Sequence, residues 1–261
     1  MRLSEDETRE YRDKGYLFFA ELIPAREIAV AREELAKLVG EKRKSVILEA
    51  DGKTVRSVLN PHLYNPVLDR LCRHERVIEP VMQLVGGPVY IFQSIVNVKR
   101  AFDGQQWQWH QDYPTYKVDD LMPEPRGVNA LIFVDDVTEF NGPLMMVPGS
   151  QAHATEIPDV DTSVTTYPRG RYPSVDWVKP VMARNGIVAP KGKAGSVVFM
   201  DLRTVHGSGP NMSPWHRSVL SLTLNSVENK ATGTVRGDAI CHDYAPIRPV
   251  PGAELLALAR A

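Results

Sequence analysis

The sequence contains few cysteines, no excess of charge of either sign and no long apolar run. Its two cysteines, Cys72 and Cys241, lie too far apart for a thiolate zinc motif, so a metal site would need histidine and carboxylate ligands. The 31 basic and 32 acidic residues give a net charge of −1, which argues against nucleic acid as a partner. Because no run of about twenty apolar residues occurs, the sequence predicts no membrane span.

The N-terminal segment, MRLSEDETREYRDKGY, is charged where a secretory signal peptide would be apolar. We therefore expect a cytoplasmic protein. The length of 261 residues and the apolar content of 43% suit a single domain over residues 1–261 that can bury a real core. These features favour an enzyme and leave the oligomeric state open.

Helical patterns dominate residues 1–87. Ser4 and Glu7 form a capping box ahead of a first helix, and a second helix is predicted from apolar residues at helical spacing, namely Ile28, Ala31, Leu35 and Leu38. A hairpin turn is predicted at Asp51-Gly52, and two further helical stretches follow at 61–72 and 75–85. We expect these helices to support a β-rich core.

Short β-like runs begin at residue 88 and are separated by glycine, proline and asparagine. We predict strands at 89–99, 127–134, 144–147, 195–200 and 217–225. Many short strands with few helices between them indicate an antiparallel sandwich or barrel over residues 88–230, mostly β with supporting α. Within it, residues 154–193 are rich in proline, glycine, arginine and tyrosine and are predicted to form a lid.

The motif WQWHQDYPTY carries the first chemical signal. At the end of an extended strand, His110 and Asp112 would project to the same side and could bind one metal ion together. His206, in DLRTVHGSGPN, follows a predicted apolar strand and is the candidate third ligand. Two histidines and one carboxylate on one face of an octahedral metal leave three positions open, as in non-haem Fe(II) oxygenases.

A second signal comes from two strands with one polar face each. In RSVLSLTLN, Arg217 shares a face with small polar residues, and the leucines alternate onto the opposite face. In VYIFQSIVNVK, Gln93, Asn97 and Lys99 share a face, although alternation leaves open whether that face is the inner one. A buried guanidinium needs an anion, and a carboxylate fits it best. Polar strands beside a His-Asp-His site therefore suggest 2-oxoglutarate as a small anionic cosubstrate.

The stretch from Gln93 to Gln151, together with HGSGPNMSPWHRSVLSLTLNSVEN, resembles the phytanoyl-CoA dioxygenase superfamily. Within it, the stretch is most similar to the branch of ectoine hydroxylase and bacterial free-amino-acid hydroxylases of the leucine type. The combination of W-H-x-D-Y, N-G-P-L, P-G-S and H-G-S…R-S carries the resemblance. It implies a double-stranded β-helix core, of the jelly-roll or cupin-like kind, with N-terminal helices packed on one sheet.

The same resemblance implies a cofactor set and site residues. Fe(II) is expected on His110, Asp112 and His206, and 2-oxoglutarate on Arg217, with O2 as the second cosubstrate. The resemblance also implies that Gln93, Asn97 and Lys99 line the pocket for cosubstrate and substrate. Asp112 is a full carboxylate, whereas the halogenating relatives have a small residue there, so halogenation is not expected.

The chain departs from the ectoine enzymes just after the metal motif. Tyr116 stands where they carry a tryptophan, and VDDLMP replaces their E-D-G-M-P run, so we expect a substrate other than ectoine that lies near Tyr116. A substrate carboxylate needs a fixed cation, and Arg169 or Arg171 of the lid is a candidate. The alternative, that both lid arginines are simply solvated, is the commoner situation for such residues.

The sequence thus predicts an Fe(II)- and 2-oxoglutarate-dependent dioxygenase that hydroxylates an unactivated C–H bond of a free amino acid or similar small zwitterion. Two alternatives stay open. A family member acting on a larger biosynthetic intermediate, by hydroxylation, desaturation or cyclisation, would share the metal residues. A non-catalytic barrel that binds a small ligand would need only the fold. The other histidines, including His62 and His74, are expected at the surface or in turns.

Overall fold

The computed structural model describes residues 1–41, 43–153 and 171–259. Within these ranges ten strands form two sheets. The strands are β1 (Tyr16–Phe19), β2 (Val46–Leu48), β3 (Val55–Leu59), β4 (Val89–Lys99), β5 (Trp107–His110), β6 (Gly127–Phe133), β7 (Leu144–Met146), β8 (Val197–Asp201), β9 (His206–Ser208) and β10 (Arg217–Ser226). The helices are α1 (Glu5–Lys14), α2 (Ala25–Val39), α3 (Pro66–Cys72), α4 (Glu75–Val85), α5 (Asp112–Asp119), α6 (Val175–Asn185) and α7 (Gly252–Leu258), with 3₁₀ turns at Pro61–Leu63 and Ser150–Ala152.

Both sheets are antiparallel. The larger has the order β1-β8-β6-β10-β4-β3-β2, and the smaller has the order β5-β9-β7. At the centre of the larger sheet β4 and β10 pair along their length, with Arg217 opposite Lys99 and Thr223 opposite Gln93. Side chains from both sheets line one cavity between them, so the mostly β, jelly-roll class expected from the sequence is confirmed.

The outer face of the larger sheet packs against the N-terminal helices, as expected. Leu220, Leu222 and Leu224 of β10 are fully buried in one cluster with the apolar stripe of α2 and with α3 and α4. Burial of each such leucine contributes about 1.5–3 kcal/mol, so this contact stabilises the sheet. The opposite side chains of β10 consequently face the cavity.

Helix α1 begins and ends as its sequence dictates, and its end supports the loop before His206. Ser4 and Glu7 form the predicted capping box, and Gly15 closes the helix at a φ of 78°. A Cβ on Gly15 would lie 2.3 Å from Gln151 Oε1 and 2.6 Å from Thr204 Oγ1, so only glycine fits. Thr204 Oγ1 donates to the Gly15 carbonyl at 2.9 Å, which fixes the loop two residues before His206.

The segment predicted as a lid is partly helical. Residues 154–170 lie outside the described part of the chain, but α6 occupies Val175–Asn185 with Ser174 as its cap. Pro180 lies inside this helix, and Val178 and Val181 are its buried residues. Among the described residues, no helix has both the length and the apolar character needed to cross a bilayer.

Candidate metal centre and cavity

The three predicted ligands come together at one end of the smaller sheet. His110 is the last residue of β5 and pairs with His206, the first residue of β9. Asp112 Oδ1 lies 3.6 Å from His110 Nε2 and 3.8 Å from His206 Nε2. One ligand atom from each residue lies within 4.8 Å of the others, a spacing that suits a single ion.

The local geometry of His110 and Asp112 differs from the prediction. They do not share an extended strand end, because the strand stops at His110 and Asp112 is the first residue of α5. Gln111 is extended between them, and the backbone amides of Asp112 and Tyr113 both donate to the Leu202 carbonyl at 3.0 Å. A carboxylate in the first turn of a helix is also stabilised by the helix dipole.

Backbone carbonyls set the tautomer of both histidines. His110 Nδ1 lies 2.6 Å from the Gln108 carbonyl, and His206 Nδ1 lies 2.9 Å from the Thr204 carbonyl. Because a carbonyl can only accept, the Nδ1 atoms carry the protons and the Nε2 lone pairs are left facing Asp112. This is how protein metal sites orient a histidine ligand.

The protonation states also suit metal binding. Burial, followed by the nearby His110, lowers the pKa of His206 to about 4. Burial would raise the pKa of Asp112, but His206, His110 and Asn129 together outweigh it and lower that pKa to about 2. At neutral pH the site therefore holds a neutral imidazole at His206 and an ionised carboxylate, the forms that bind a metal.

Arg217 has the environment of an anion-binding residue. Its side chain is 4% exposed and lines the cavity, which has a volume of about 120 Å³. One terminal nitrogen donates to the Gly142 carbonyl, and the buried Nε has no hydrogen-bond partner. Burial lowers the pKa of Arg217 to about 10, so the side chain remains charged at neutral pH. A buried cation with an unused donor fits a carboxylate.

The polar face of β4 is the inner face. Gln93 and Asn97 both line the cavity, and Asn97 Oδ1 accepts from Ser57 Oγ at 3.0 Å. Lys99, 1% exposed, lies directly across from Arg217, and its Nζ donates to the Ser208 carbonyl at 3.5 Å and to the Gly209 carbonyl. Burial, followed by repulsion from Arg217, lowers the pKa of Lys99 to about 6.

Tyr116 lies in the cavity wall as predicted, but its hydroxyl is bonded to the protein. It accepts from Gln93 Nε2 at 2.9 Å and lies 3.4 Å from Thr223 Oγ1. Of the two lid arginines, Arg171 pairs with Asp119 at 2.9 Å, and its neighbour Tyr172 contributes to the cavity wall. Arg169 lies outside the described residues.

Arg236 and Trp107 also belong to the cavity wall. Arg236, from a segment without regular structure, is 4% exposed and lies over the Tyr116 ring at 5.1 Å; its Nε is 2.9 Å from Asp120 Oδ2. Trp107 lies three residues before His110 on β5, a spacing at which regular strand alternation places two side chains on opposite faces. The β5–β9 pairing shifts register between these two residues, so both reach the same cavity.

The expectation that His62 and His74 lie at the surface or in turns is wrong. His62 is 8% exposed, and its Nδ1 is 2.6 Å from Ser94 Oγ. His74 is 1% exposed, with Nε2 2.9 Å from a carboxylate oxygen of the buried Glu27. Each imidazole is satisfied by a partner distant in sequence, which spacing along the chain does not reveal.

A family model described as phytanoyl-CoA dioxygenase matches residues 11–219. The chain belongs to this family. Family membership, together with the His-Asp-His cluster, confirms the dioxygenase class expected from the sequence.

Similar relatives and structures are small-molecule enzymes of this family. The ectoine dioxygenase of Bordetella parapertussis is 35% identical over 242 residues, covering 87% of this chain and 77% of that protein. The L-proline trans-4-hydroxylase of Streptomyces griseoviridis is 34% identical over 257 residues, which cover 92% of this chain and 93% of that protein. The structure of EctD from S. alaskensis with bound Fe superposes with a TM-score of 0.83 at 27% identity and covers 96% of this chain and 89% of EctD. The same enzyme with 2-oxoglutarate and 5-hydroxyectoine gives a TM-score of 0.78 at 29% identity, covering 88% and 78%.

Proposed function

We propose that this chain, as a single domain, is an Fe(II)- and 2-oxoglutarate-dependent dioxygenase that hydroxylates a free amino acid or similar small zwitterion. The solved relatives with bound iron and 2-oxoglutarate confirm the cofactors expected from the sequence. The observation that carries the proposal is one cavity that contains the His110–Asp112–His206 cluster together with Arg217, a buried cation whose Nε lacks a partner. A metal and an anion are the two ligands that such a cavity fits.

Each group of the chain has a separate task. His110, Asp112 and His206 would hold Fe(II), because their free Nε2 and Oδ1 atoms converge. Bound Fe(II), with 2-oxoglutarate and O2, supplies the oxidising power for C–H cleavage, and 2-oxoglutarate leaves as succinate and CO2. Arg217 would bind the far carboxylate of 2-oxoglutarate through its unused Nε donor. Gln93 and Asn97 line the same cavity and present amide groups to the bound molecules.

The substrate would lie at the end of the cavity away from Arg217. Gln93 is six residues along β4 from Lys99, which pairs with Arg217, and six strand residues span roughly 20 Å. That distant end is lined by Tyr116, which bonds to Gln93, and by Arg236, which lies over the Tyr116 ring, whereas the Tyr172 ring lies 5.8 Å from the His110 ring. Aromatic walls beside the paired Arg236 and Asp120 suit a small amino acid whose carbon skeleton packs on the rings.

The family members of similar sequence support this substrate class. L-proline trans-4-hydroxylase acts, by its name, on a free imino acid, and it matches nearly the full length of this chain. Ectoine dioxygenase acts on ectoine, but this chain has Tyr116 in the cavity wall where the ectoine enzymes are expected to carry tryptophan. We therefore propose an amino or imino acid other than ectoine as substrate.

The decisive experiment is a turnover screen with purified, Fe(II)-loaded protein. Free amino acids, their common derivatives and ectoine are each incubated with 2-oxoglutarate and O2, and succinate and product mass are measured. The proposal expects succinate release with an amino or imino acid and a product that has gained one oxygen atom. A product that has lost two hydrogen atoms would instead indicate desaturation. Absence of substrate-dependent succinate with every compound would overturn the proposal.

We also propose a cytoplasmic location, where 2-oxoglutarate is produced. The support within the molecule is that Cys72 and Cys241 are both buried free thiols, which a reducing compartment preserves. Fractionation of cells that express the natural gene, followed by immunoblotting, tests the location. Recovery in the membrane or secreted fraction would contradict it.

A further inference from the structure

The two oxygens of the Asp112 carboxylate face different partners. Oδ1 is the oxygen nearest the histidines, at 3.6 Å from His110 Nε2 and 3.8 Å from His206 Nε2. Oδ2 instead accepts a hydrogen bond of 2.8 Å from Asn129 Nδ2. Asn129 lies on β6, is 3% exposed and lines the cavity. One oxygen is therefore directed at the metal position and the other is already engaged.

Two hydroxyl groups of β10 fix the orientation of the Asn129 amide. Ser221 Oγ and Thr223 Oγ1 both donate to Asn129 Oδ1, at 3.0 and 3.2 Å. Asn129 and Thr223 are directly opposite each other in the β6–β10 pairing. Because the ionised Asp112 carboxylate can only accept, the amide NH2 group faces it, and the two hydroxyls then donate to the amide oxygen and hold this orientation.

The same threonine also anchors the helix that carries Asp112. Tyr116 is one turn further along α5, and its hydroxyl lies 3.4 Å from Thr223 Oγ1. Since the Thr223 proton is used on Asn129, the tyrosine is the donor in this bond, and it accepts in turn from Gln93 Nε2 at 2.9 Å. Every donor in the series Gln93, Tyr116, Thr223 and Asn129 thus points toward the carboxylate, and each bond strengthens the next.

We propose that Asn129, oriented by Ser221 and Thr223, is a positioning residue that keeps Asp112 a metal ligand through Oδ1 alone. The inference rests on the proposed metal site. Two histidines and one carboxylate oxygen leave open three of the six coordination positions of an octahedral metal. 2-Oxoglutarate and O2 together require all three. If Oδ2 were free to bind as well, only two positions would remain and none would be left for O2. The polar row of β10 therefore has two uses, Arg217 for the cosubstrate and the hydroxyls for the metal carboxylate.

The first test replaces Asn129 with leucine, which has a similar shape and no charge but cannot donate to Asp112. Co(II) is used as the probe, without 2-oxoglutarate, and its Kd and visible spectrum are measured by titration. We expect the Kd to rise about 10- to 100-fold, the usual loss when an outer partner of a metal ligand is removed, with a change in the Co(II) bands. Unchanged Co(II) bands together with a Kd within threefold of the unmodified protein would overturn the proposal. Asn225→Leu is the matched control, because Asn225 is a buried amide of β10 that bonds to Tyr90 and Asn229 rather than to Asp112, and its Co(II) Kd should stay within threefold of the unmodified value.

The second test separates a hydroxyl effect from a packing effect, and it does not depend on Asn129→Leu folding. Thr223→Val keeps the shape and loses the hydroxyl, whereas Thr223→Ser keeps the hydroxyl and loses a methyl group. The proposal expects Co(II) binding weakened several-fold in Thr223→Val and within twofold of the unmodified protein in Thr223→Ser. Equal weakening in both variants, or weakening only in Thr223→Ser, would show a packing role and refute the positioning role.

Failure of this inference can be told apart from failure of the proposed function. The unmodified protein must bind one Co(II), and His206→Ala must lose it. If the unmodified protein binds no Co(II), the metal site itself is refuted and this inference with it. If it binds Co(II) and both Asn129→Leu and Thr223→Val bind equally well, only the positioning role is refuted.

Discussion

Replacing Arg217 with methionine is expected to stabilise the ligand-free protein and to weaken 2-oxoglutarate binding. Both effects have the same origin, a charged guanidinium buried before any anion is bound. Burial lowers the pKa of Arg217 from its ordinary value to about 10. A lowered pKa for a cation means that the folded state disfavours the charged form, so at neutral pH the charge costs roughly 3 kcal/mol of stability.

The net gain in stability from Arg217→Met is smaller than that cost. The substitution removes the buried charge, but it also leaves the Gly142 carbonyl without the donor that it has now. An unsatisfied buried carbonyl costs about 1–3 kcal/mol, so we expect a net gain on the order of 1 kcal/mol. For a chain of this length that corresponds to a Tm increase of roughly 2–4 °C.

The effect on 2-oxoglutarate is larger and of opposite sign. Removing one partner of a buried ion pair costs about 3–5 kcal/mol, because the other charge is left unpaired. At about 1.4 kcal/mol for each factor of ten, the Kd for 2-oxoglutarate should rise from roughly 100-fold to a few thousand-fold. Metal binding should change little, since Arg217 is not one of the residues that cluster at the metal position.

Calorimetric titration of 2-oxoglutarate into the anaerobic Mn(II)-loaded protein measures the Kd, and differential scanning calorimetry of the metal-free protein measures the Tm. The control is Arg126→Met, because Arg126 is 40% exposed and, within the described part of the chain, forms an ion pair only with the exposed Glu228. This control should leave the Kd unchanged and shift the Tm by less than about 1 °C. A Kd within fivefold of the unmodified protein would remove Arg217 from its role, and a lower Tm in Arg217→Met would refute the charge-burial argument.

Three further results are expected. His206→Ala should abolish both Co(II) binding at equimolar metal and succinate formation, and residual binding of normal affinity would contradict its role as a ligand. Because the pKa of Lys99 is about 6, its amine is neutral at pH 7.5, and an anion that binds nearby should cause the amine to take up a proton. The measured heat of 2-oxoglutarate binding should therefore differ between phosphate and Tris buffers. This difference should vanish in Lys99→Met. Arg56 and Glu49 form a buried ion pair of 2.8 Å, so Arg56→Met should lower the free energy of unfolding in urea by about 3–5 kcal/mol, and adding Glu49→Gln should restore part of it.

Strand alternation was the most reliable guide in this sequence. It identified β4 with the bounds that the structure has and placed the leucines of β10 toward the helices. It works here because both strands are long and central, with one face on an apolar core and the other on a polar cavity. The same alternation in GVNALIF puts Asn129 on the cavity side of β6, so this residue could have been found by the same reasoning.

Other features depend on contacts between distant parts of the chain. Arg236 reaches the cavity because Asp120, more than a hundred residues earlier, is buried beside it, and no local pattern marks either residue. His74 was misjudged for the same reason, since its partner Glu27 belongs to another helix. The break between His110 and Asp112 was missed because H-x-D spacing suits both an extended strand and a strand that turns into a helix.

The distribution of buried acids explains how a nearly neutral protein can select an anionic cosubstrate. Three of the buried or largely buried arginines each have a carboxylate of their own, namely Arg56 with Glu49, Arg171 with Asp119 and Arg236 with Asp120. Among the described residues, Arg217 has no carboxylate within ion-pair distance, although it is as buried as Arg236. A buried charge without a counterion is unfavourable until an anion arrives, so binding of 2-oxoglutarate removes a cost that the ligand-free fold carries. The absence of an acidic partner, more than the presence of an arginine, therefore marks the position that we propose for the cosubstrate carboxylate.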